Sequence, residues 1–387
     1  MRFPVDRLLP VLSGGSESTP VARMSNGTLA RTGEEQDLEA PEERGWPAQY
    51  PQFSPRRWLR NGHLQTILGN FLPRTDALPE PVAEMVEVSA ARGTQISSQV
   101  LCECHWQRLP QRAASPTAIV LHGLEGSSHS QYVIGNANKL WGAGWNVIRM
   151  NMRNCSPRKG DQMLRLTPTL YHSGLSQDVE RVMQHYVEAE GLQSVALIGY
   201  SMGGNLVLKL AGDLGGNAPP QLRAVVGISP ALDLAASADA LHEPWNRLYE
   251  LKFVRALVRR FQLKAKIFPR AYDPRRADRV ETLRQFDERI TALYCGFKSA
   301  DDYYHQAAAA RVLNQIAVPT LIVHAEDDPF IRIRAESRRA IAENPHIVFL
   351  VSPHGGHCAF LEPADRSTGN DGYWAEQMTL RFVRARA

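Results

Sequence analysis

Gly199-Tyr200-Ser201-Met202-Gly203 follows the apolar run SVALIGY and leads directly into GGNLVLKLAGDL, a run compatible with a helix. A serine on so sharp a strand-to-helix turn is held with its Oγ projecting from the carboxyl edge of a sheet, and flanking glycines let the neighbouring backbone pack close. Its hydroxyl becomes a nucleophile only beside a base, and the base needs a third group to orient it. On an elbow of this kind the acid and the histidine follow the serine in chain order, each just after a later strand. Both are present: Asp327-Asp328 after PTLIVHAE, and His354 and His357 in PHGGH after HIVFLVS. Such loops place the acid three residues after the small residue that closes the strand, here Ala325, which favours Asp328 over Asp327. The glycine pair before His357 lets that loop approach the elbow, which favours His357 over His354. The expected chemistry is acyl transfer through Ser201, His357 and Asp328, and it calls for no metal or organic cofactor.

An acyl-transfer site also needs donors for the oxyanion. The N–H of Met202, at a helix start, is one candidate. The other is the N–H of Leu124, in His122-Gly123-Leu124-Glu125-Gly126 after the run TAIVLHG. His122 precedes both the serine and the acid in the chain, so it is expected to shape this loop rather than transfer protons.

The elements that must hold these residues are legible as a rhythm. EMVEVSA and QISSQVLCECHW, separated by a Gly-containing turn, predict a hairpin. TAIVLHG, WNVIRMNM, SVALIGYS, LRAVVGIS, PTLIVHAE and HIVFLVS are short Val- and Ile-rich runs, mostly separated by helix-length segments. That alternation predicts an α/β fold with a mostly parallel central sheet and helices on both faces. Residues from about 230 to 316 break the rhythm with helical pattern alone, which predicts a cap inserted over the carboxyl edge of the sheet. In it Lys252, Arg255, Arg259, Arg260, Lys264, Lys266 and Arg270 alternate with Phe253, Leu257, Val258, Phe261 and Ile267. A helix with its apolar stripe on a pocket and its basic face in water is expected. Membrane contact through that face is allowed by the sequence but not expected.

Composition sets the bounds. With 387 residues, 43% hydrophobic and 22% charged, the chain can bury a large core, and its net charge of +4 implies no nucleic-acid partner. Residues 1–50 carry 5 Arg and no Lys against 8 acids, and are expected to form a loosely ordered tail ahead of a single domain over 51–387. The first residues hold only a short, Pro-broken apolar run, which predicts an unexported, cytoplasmic protein. The odd count of 5 cysteines, Cys102, Cys104, Cys155, Cys295 and Cys358, fits reduced thiols.

HGLEGSSHSQY, YHSGLSQD, GYSMGGN, FDERIT, GFKSADDYY, VPTLIVHAEDDPF and GGHCAFLE, with RNGHLQTI upstream at Arg60 to Ile67, together resemble the YheT family of α/β-hydrolases. The resemblance runs from about residue 53 to 382. It implies the α/β-hydrolase fold, Ser201, Asp328 and His357 as a triad, and hydrolysis of short- to medium-chain acyl esters or monoacylglycerol-like lipids. Arg153-Asn154-Cys155-Ser156-Pro157 departs from the family's R-G-C-S-G, and Cys358-Ala359 from a pair ending in Gly. Two rivals accompany this expectation: an acyltransferase using the same triad with an alcohol acceptor, and a non-catalytic ligand-binding hydrolase fold.

Overall fold

In the computed structural model, which describes residues 46–387 except 91–95, 109–110, 158–160, 366 and 368, every expected strand forms. They are β1 Val82–Ser89, β2 Ser98–His105, β3 Thr117–Leu121, β4 Asn146–Met150, β5 Val195–Tyr200, β6 Leu222–Ile228, β7 Thr320–Ala325 and β8 Ile347–Ser352. They make one eight-stranded sheet in the order β1-β2-β4-β3-β5-β6-β7-β8. β1 and β2 form the expected antiparallel hairpin, β2 runs antiparallel to β4, and every later pairing is parallel. The sheet thus reverses its winding between β3 and β5, where the carboxyl ends of adjacent strands open a crevice.

The central strands are wholly buried because alternate side chains feed two cores. Ile119, Leu121, Val195 and Leu197 point to the face covered by helices Ser176–Glu190 and Met202–Leu214. Ala118, Val120, Ala196 and Ile198 point to the other, covered by Gln131–Gly142 and Trp374–Arg384. Packing on this second face reaches further toward the N-terminus than the expected tail boundary at residue 50. Tyr50 is buried, Trp46 Nε1 donates to Tyr50 O at 2.6 Å, and Trp374 Nε1 donates to Pro51 O at 2.9 Å. The rest of that tail, residues 1–45, lies outside the described residues. Among the described residues no helix is long and apolar enough to cross a membrane.

Between β6 and β7 the chain holds helices and turns only, dominated by Leu234–Leu241, Arg247–Ile267 and Ala300–Ala307, with a π-helical stretch at Asp287–Ala292. The long helix buries Val254, Leu257, Phe261 and Ala265, one stripe at helical spacing. Its basic residues do not all face water as expected. Lys252, Arg255, Arg259, Lys266 and, just beyond the helix, Arg270 are exposed, but Lys264 is buried and Arg260 only partly exposed. Both reach the backbone beyond β4: Lys264 Nζ donates to Asn154 Oδ1 at 2.7 Å, to Leu164 O at 2.8 Å and to Thr167 O, and Arg260 donates to Asn154 O. Burial lowers the Lys264 pKa to about 7, yet three acceptors match the three donors of its ammonium group. Asn154 itself stands at φ 65°, where the family pattern has glycine. Asn tolerates that conformation best after glycine, and it adds the side-chain acceptor that Lys264 uses.

Replacing Lys264 by Met leaves those three acceptors without their donor. The expected loss is about 3 kcal/mol of stability, read from urea unfolding; a loss below about 1 kcal/mol would mean that water replaces the contacts.

Candidate active site

Ser201 follows β5 at φ 54° and ψ −117°, a conformation that costs a non-glycine residue of order 1–3 kcal/mol. Its N–H donates to Ile228 O at 2.9 Å and its carbonyl accepts from Asn205 N at 3.0 Å, so β6 and the following helix hold the turn from both sides. The glycines of the motif are sterically required. A Cβ on Gly199 would overlap the Gly203 carbonyl, and one on Gly203 would lie 2.5 Å from His122 O. Tyr200, inside the motif, is buried, accepts a hydrogen bond from Asn136 Nδ2 at 2.8 Å and packs on Tyr132 at 4.5 Å.

The two candidate acids and the two candidate histidines sort into separate pairs. His357 Nδ1 lies 2.8 Å from Asp328 Oδ2, with Asp328 buried, whereas His354 Nδ1 lies 3.4 Å from Asp327 Oδ2. Asp328 Oδ1 accepts the N–H groups of Phe330 and Ile331 at 3.1 and 2.9 Å, which fixes the carboxylate. Burial opposes ionisation of Asp328, but His357 outweighs it and holds the pKa below the usual carboxylate value. Burial likewise disfavours the His357 imidazolium, yet the neighbouring Cys358 sulfur and the Asp328 carboxylate raise its pKa above the ordinary 6.5. The histidine loop meets the elbow at the end of β6: Cys358 N donates to Ser229 Oγ at 3.0 Å and Cys358 Sγ lies 3.8 Å from Ile228 O, the carbonyl that also holds Ser201.

What clamps this loop is the upstream RNGHLQTI segment, for which sequence reasoning found no role. It forms helix Gly62–Phe71. Thr66 Oγ1 accepts the His357 N–H at 2.8 Å while donating to Gly62 O at 2.7 Å. Gln65 exchanges two hydrogen bonds with the backbone of Leu361, at 2.8 and 2.9 Å. A Cβ on Gly62 would collide with the Asp327 carbonyl, so the helix start presses on the acid loop as well. The signal was there in the polar and glycine residues, Gly62, Gln65 and Thr66, that the helix buries, but their partners lie about three hundred residues away.

The loop after β3 faces the serine. A Cβ on Gly123 would lie 3.0 Å from Ser201 Cβ, and the Gly123 N–H donates to Tyr132 Oη at 2.9 Å. Among the described residues the N–H groups of Leu124 and Met202 have no hydrogen-bond partner. His122 is buried, with Nδ1 2.7 Å from Gly123 O and Nε2 accepting from Met152 N at 3.1 Å; burial lowers its pKa to about 4. It is a neutral brace whose ring nitrogens are both taken. Glu125, at φ 57°, receives Arg260 of the cap through Nε and Nη2 at 3.0 and 2.9 Å, and Tyr171 Oη at 2.5 Å. The cap is therefore fastened to the loop that carries Leu124.

Ser201, Leu124 and Met202 line a cavity of about 90 Å³ whose other walls are mostly apolar, including Phe253, Leu257 and Phe330. Phe330 also packs on the His357 ring at 4.5 Å. One polar group in the lining is Asp287, whose oxygens accept Thr291 Oγ1 and Tyr304 Oη, each at 2.7 Å; burial pushes its pKa up to about 6. Cys155 is a buried thiol pushed up to about 12 by burial, which suits packing rather than reactivity.

The raised imidazole pKa has a direct readout. Titration of the His357 ring by NMR should give a midpoint above 6.5, and Asp328→Asn should lower it; an unshifted midpoint in the variant would dissociate the pair.

A family model for the alpha/beta hydrolase fold matches residues 116–364. The YheT protein of Escherichia coli (strain K12) is 30% identical over 80% of this chain and 87% of its own. Phospholipase ABHD3 of Bos taurus is 26% identical over 84% of this chain and 75% of its own. Among solved structures, 2,6-dihydroxy-pseudo-oxynicotine hydrolase superposes with a TM-score of 0.50 at 18% identity, over 79% of this chain and 69% of that one, a likeness of fold alone. With its strand order, its serine elbow and these relatives, the chain belongs to the YheT family of α/β-hydrolases.

Proposed function

We infer that the protein is a carboxylic ester hydrolase working through Ser201, His357 and Asp328 by way of an acyl-enzyme. The observation that carries this reading is the His357–Asp328 pair, 2.8 Å apart, on a loop that shares the Ile228 carbonyl with a strained serine lining an apolar cavity. Relatives named as an esterase and as a phospholipase support the same class.

In the proposed sequence His357 Nε2 takes the Ser201 proton as Oγ attacks the ester carbonyl. Asp328 holds the imidazole by Nδ1 and stabilises the imidazolium that forms. The N–H groups of Met202 and Leu124 receive the oxyanion, each contribution being worth roughly a hundred- to a thousand-fold in turnover. Collapse restores the carbonyl and breaks the single bond between the acyl carbon and the alkoxy oxygen, and His357 passes its proton to the departing alcohol. A water deprotonated by the same imidazole then attacks the acyl-enzyme, the bond from the acyl carbon to Oγ breaks, the acid leaves, and His357 returns its proton to Ser201. The apolar cavity suits short- to medium-chain acyl groups or monoacylglycerol-like lipids.

Ser201→Ala should lose labelling by a fluorophosphonate and fall on the order of a million-fold in ester turnover, while folding as the wild type does. A panel of esters from acetyl to long-chain acyl, with monoacylglycerols, is expected to show a maximum at short to medium length. New ester formed from an added alcohol at the expense of free acid would assign acyl transfer instead.

Only neutral His357 can accept the serine proton, so its raised pKa makes kcat/KM climb with pH through a midpoint above 6.5. Cys358→Ser removes the sulfur that, with Asp328, raises the imidazole pKa against burial, and should move the midpoint down. A profile identical to wild type would sink the assignment of Cys358.

A further inference from the structure

Trp245 is 73% exposed, Leu248 80%, Phe71 69%, Ile67 45% and Leu251 38%, and these five large apolar side chains belong to two adjoining pieces of chain. Ile67 and Phe71 are one turn apart on helix Gly62–Phe71, with His63 a further turn back. Leu248 and Leu251 are one turn apart on helix Arg247–Ile267, with Trp245 just before its start. The helices meet along these rows. His63 Nδ1 lies 3.3 Å from Tyr249 Oη with the rings stacked at 5.8 Å, and Lys252 Nζ stands 5.6 Å from the centre of the Phe71 ring. Single exposed apolar residues are ordinary on any protein, but a joined set of this size marks a contact surface.

The unpaired charges along its two segments have one sign, and Glu243, two residues before Trp245, is paired with Arg332 at 3.4 Å. Residues 56–74 contain no Asp or Glu, and Arg56, Arg57 and Arg60 are exposed. Residues 244–270 contain one acid, Glu250, which is buried. Arg247, Lys252, Arg255 and Arg259 are exposed, and none is ion-paired among the described residues. Exposed tryptophan, leucine and phenylalanine interleaved with lysine and arginine is the chemistry that enters a headgroup layer and pairs with lipid phosphates.

We propose that the joined outer face of helices Gly62–Phe71 and Arg247–Ile267 docks the protein on an anionic lipid surface. The face is directly connected to the cavity. The same long helix turns Phe253 and Leu257 inward to the cavity, and Tyr249 packs on Phe330 at 5.3 Å, which in turn packs on the His357 ring. A lipid ester drawn from such a surface would arrive beside the cap helix that lines the acyl cavity. Only this delivery role rests on the ester-hydrolase reading; the docking does not.

The test is co-sedimentation of the full chain with phosphatidylcholine vesicles prepared with and without phosphatidylglycerol, at low and high salt. The wild type should pellet with phosphatidylglycerol vesicles at low salt and be released by high salt. Phe71→Ser/Leu248→Ser should lower the bound fraction about tenfold, since each change removes an apolar anchor. Hydrolysis of a water-soluble short ester by that variant should stay at the wild-type level, showing the fold intact. Failure of the wild type to bind at low salt, binding without regard to phosphatidylglycerol, or undiminished binding of the variant would overturn the proposal. A wild-type dimer that the variant turns into a monomer, without lipid binding, would assign the face to a second copy of the chain. Vesicle binding without any ester hydrolysis would leave the docking standing and remove the catalytic reading instead.

Discussion

Holding Ser201 at φ 54° sets the terms for everything around it. The helix that follows must fold straight back against β5, so positions 199 and 203 can carry no side chain, and β6 must end where its last carbonyl can hold the serine N–H. Once Ile228 O is committed there, the histidine loop has a fixed place to dock, at Ser229 and beside that carbonyl. The loop after β3 is drawn in because Gly123 leaves room against the serine. A strain of a few kilocalories is thus kept by a sheet whose central strands are entirely buried.

Beside the apolar packing of the cap on Phe330, Ile331, Leu124 and Tyr171, a few directional contacts fasten it. Arg260 grips Glu125 in a two-pronged pair, and Lys264 closes three acceptors beyond β4. Such contacts gain little net stability over apolar packing, because taking the charges out of water offsets their attraction. They do fix position: Arg260 fixes the loop carrying Leu124, and Lys264 the segment beyond β4.

The strands, their order along the chain and the serine elbow were legible because each depends on local pattern: Val- and Ile-rich runs, a Gly-x-Ser-x-Gly turn, glycine before histidine. The preference for Asp328 over Asp327 rested on spacing from Ala325, and the structure pairs the same carboxylate with His357. Two things were not legible. Arg260 and Lys264 lie in a basic stretch of ordinary solvent-facing type, and only the carbonyls and the carboxylate folded beneath them turn those two inward. Thr66 and Gln65 hold the histidine loop through partners far along the chain, a relation that no window of sequence contains.

That last contact changes what counts as the working unit of this protein. The hydrolase pattern begins at residue 116 and includes the serine, the acid and the histidine, yet the helix that grips the histidine loop ends at Phe71. The candidate reactive groups and the helix that grips the histidine loop therefore belong to different stretches of chain, with the β1–β2 hairpin between them. Drift in the first stretch and drift in the second are coupled: a change in the Gly356 turn is tolerable only with a matching change at Gly62, Gln65 or Thr66, against which that turn is packed. A graft or shuffled chimera that takes the hydrolase region from one relative and the upstream helix from another would inherit a histidine loop fitted to a different grip.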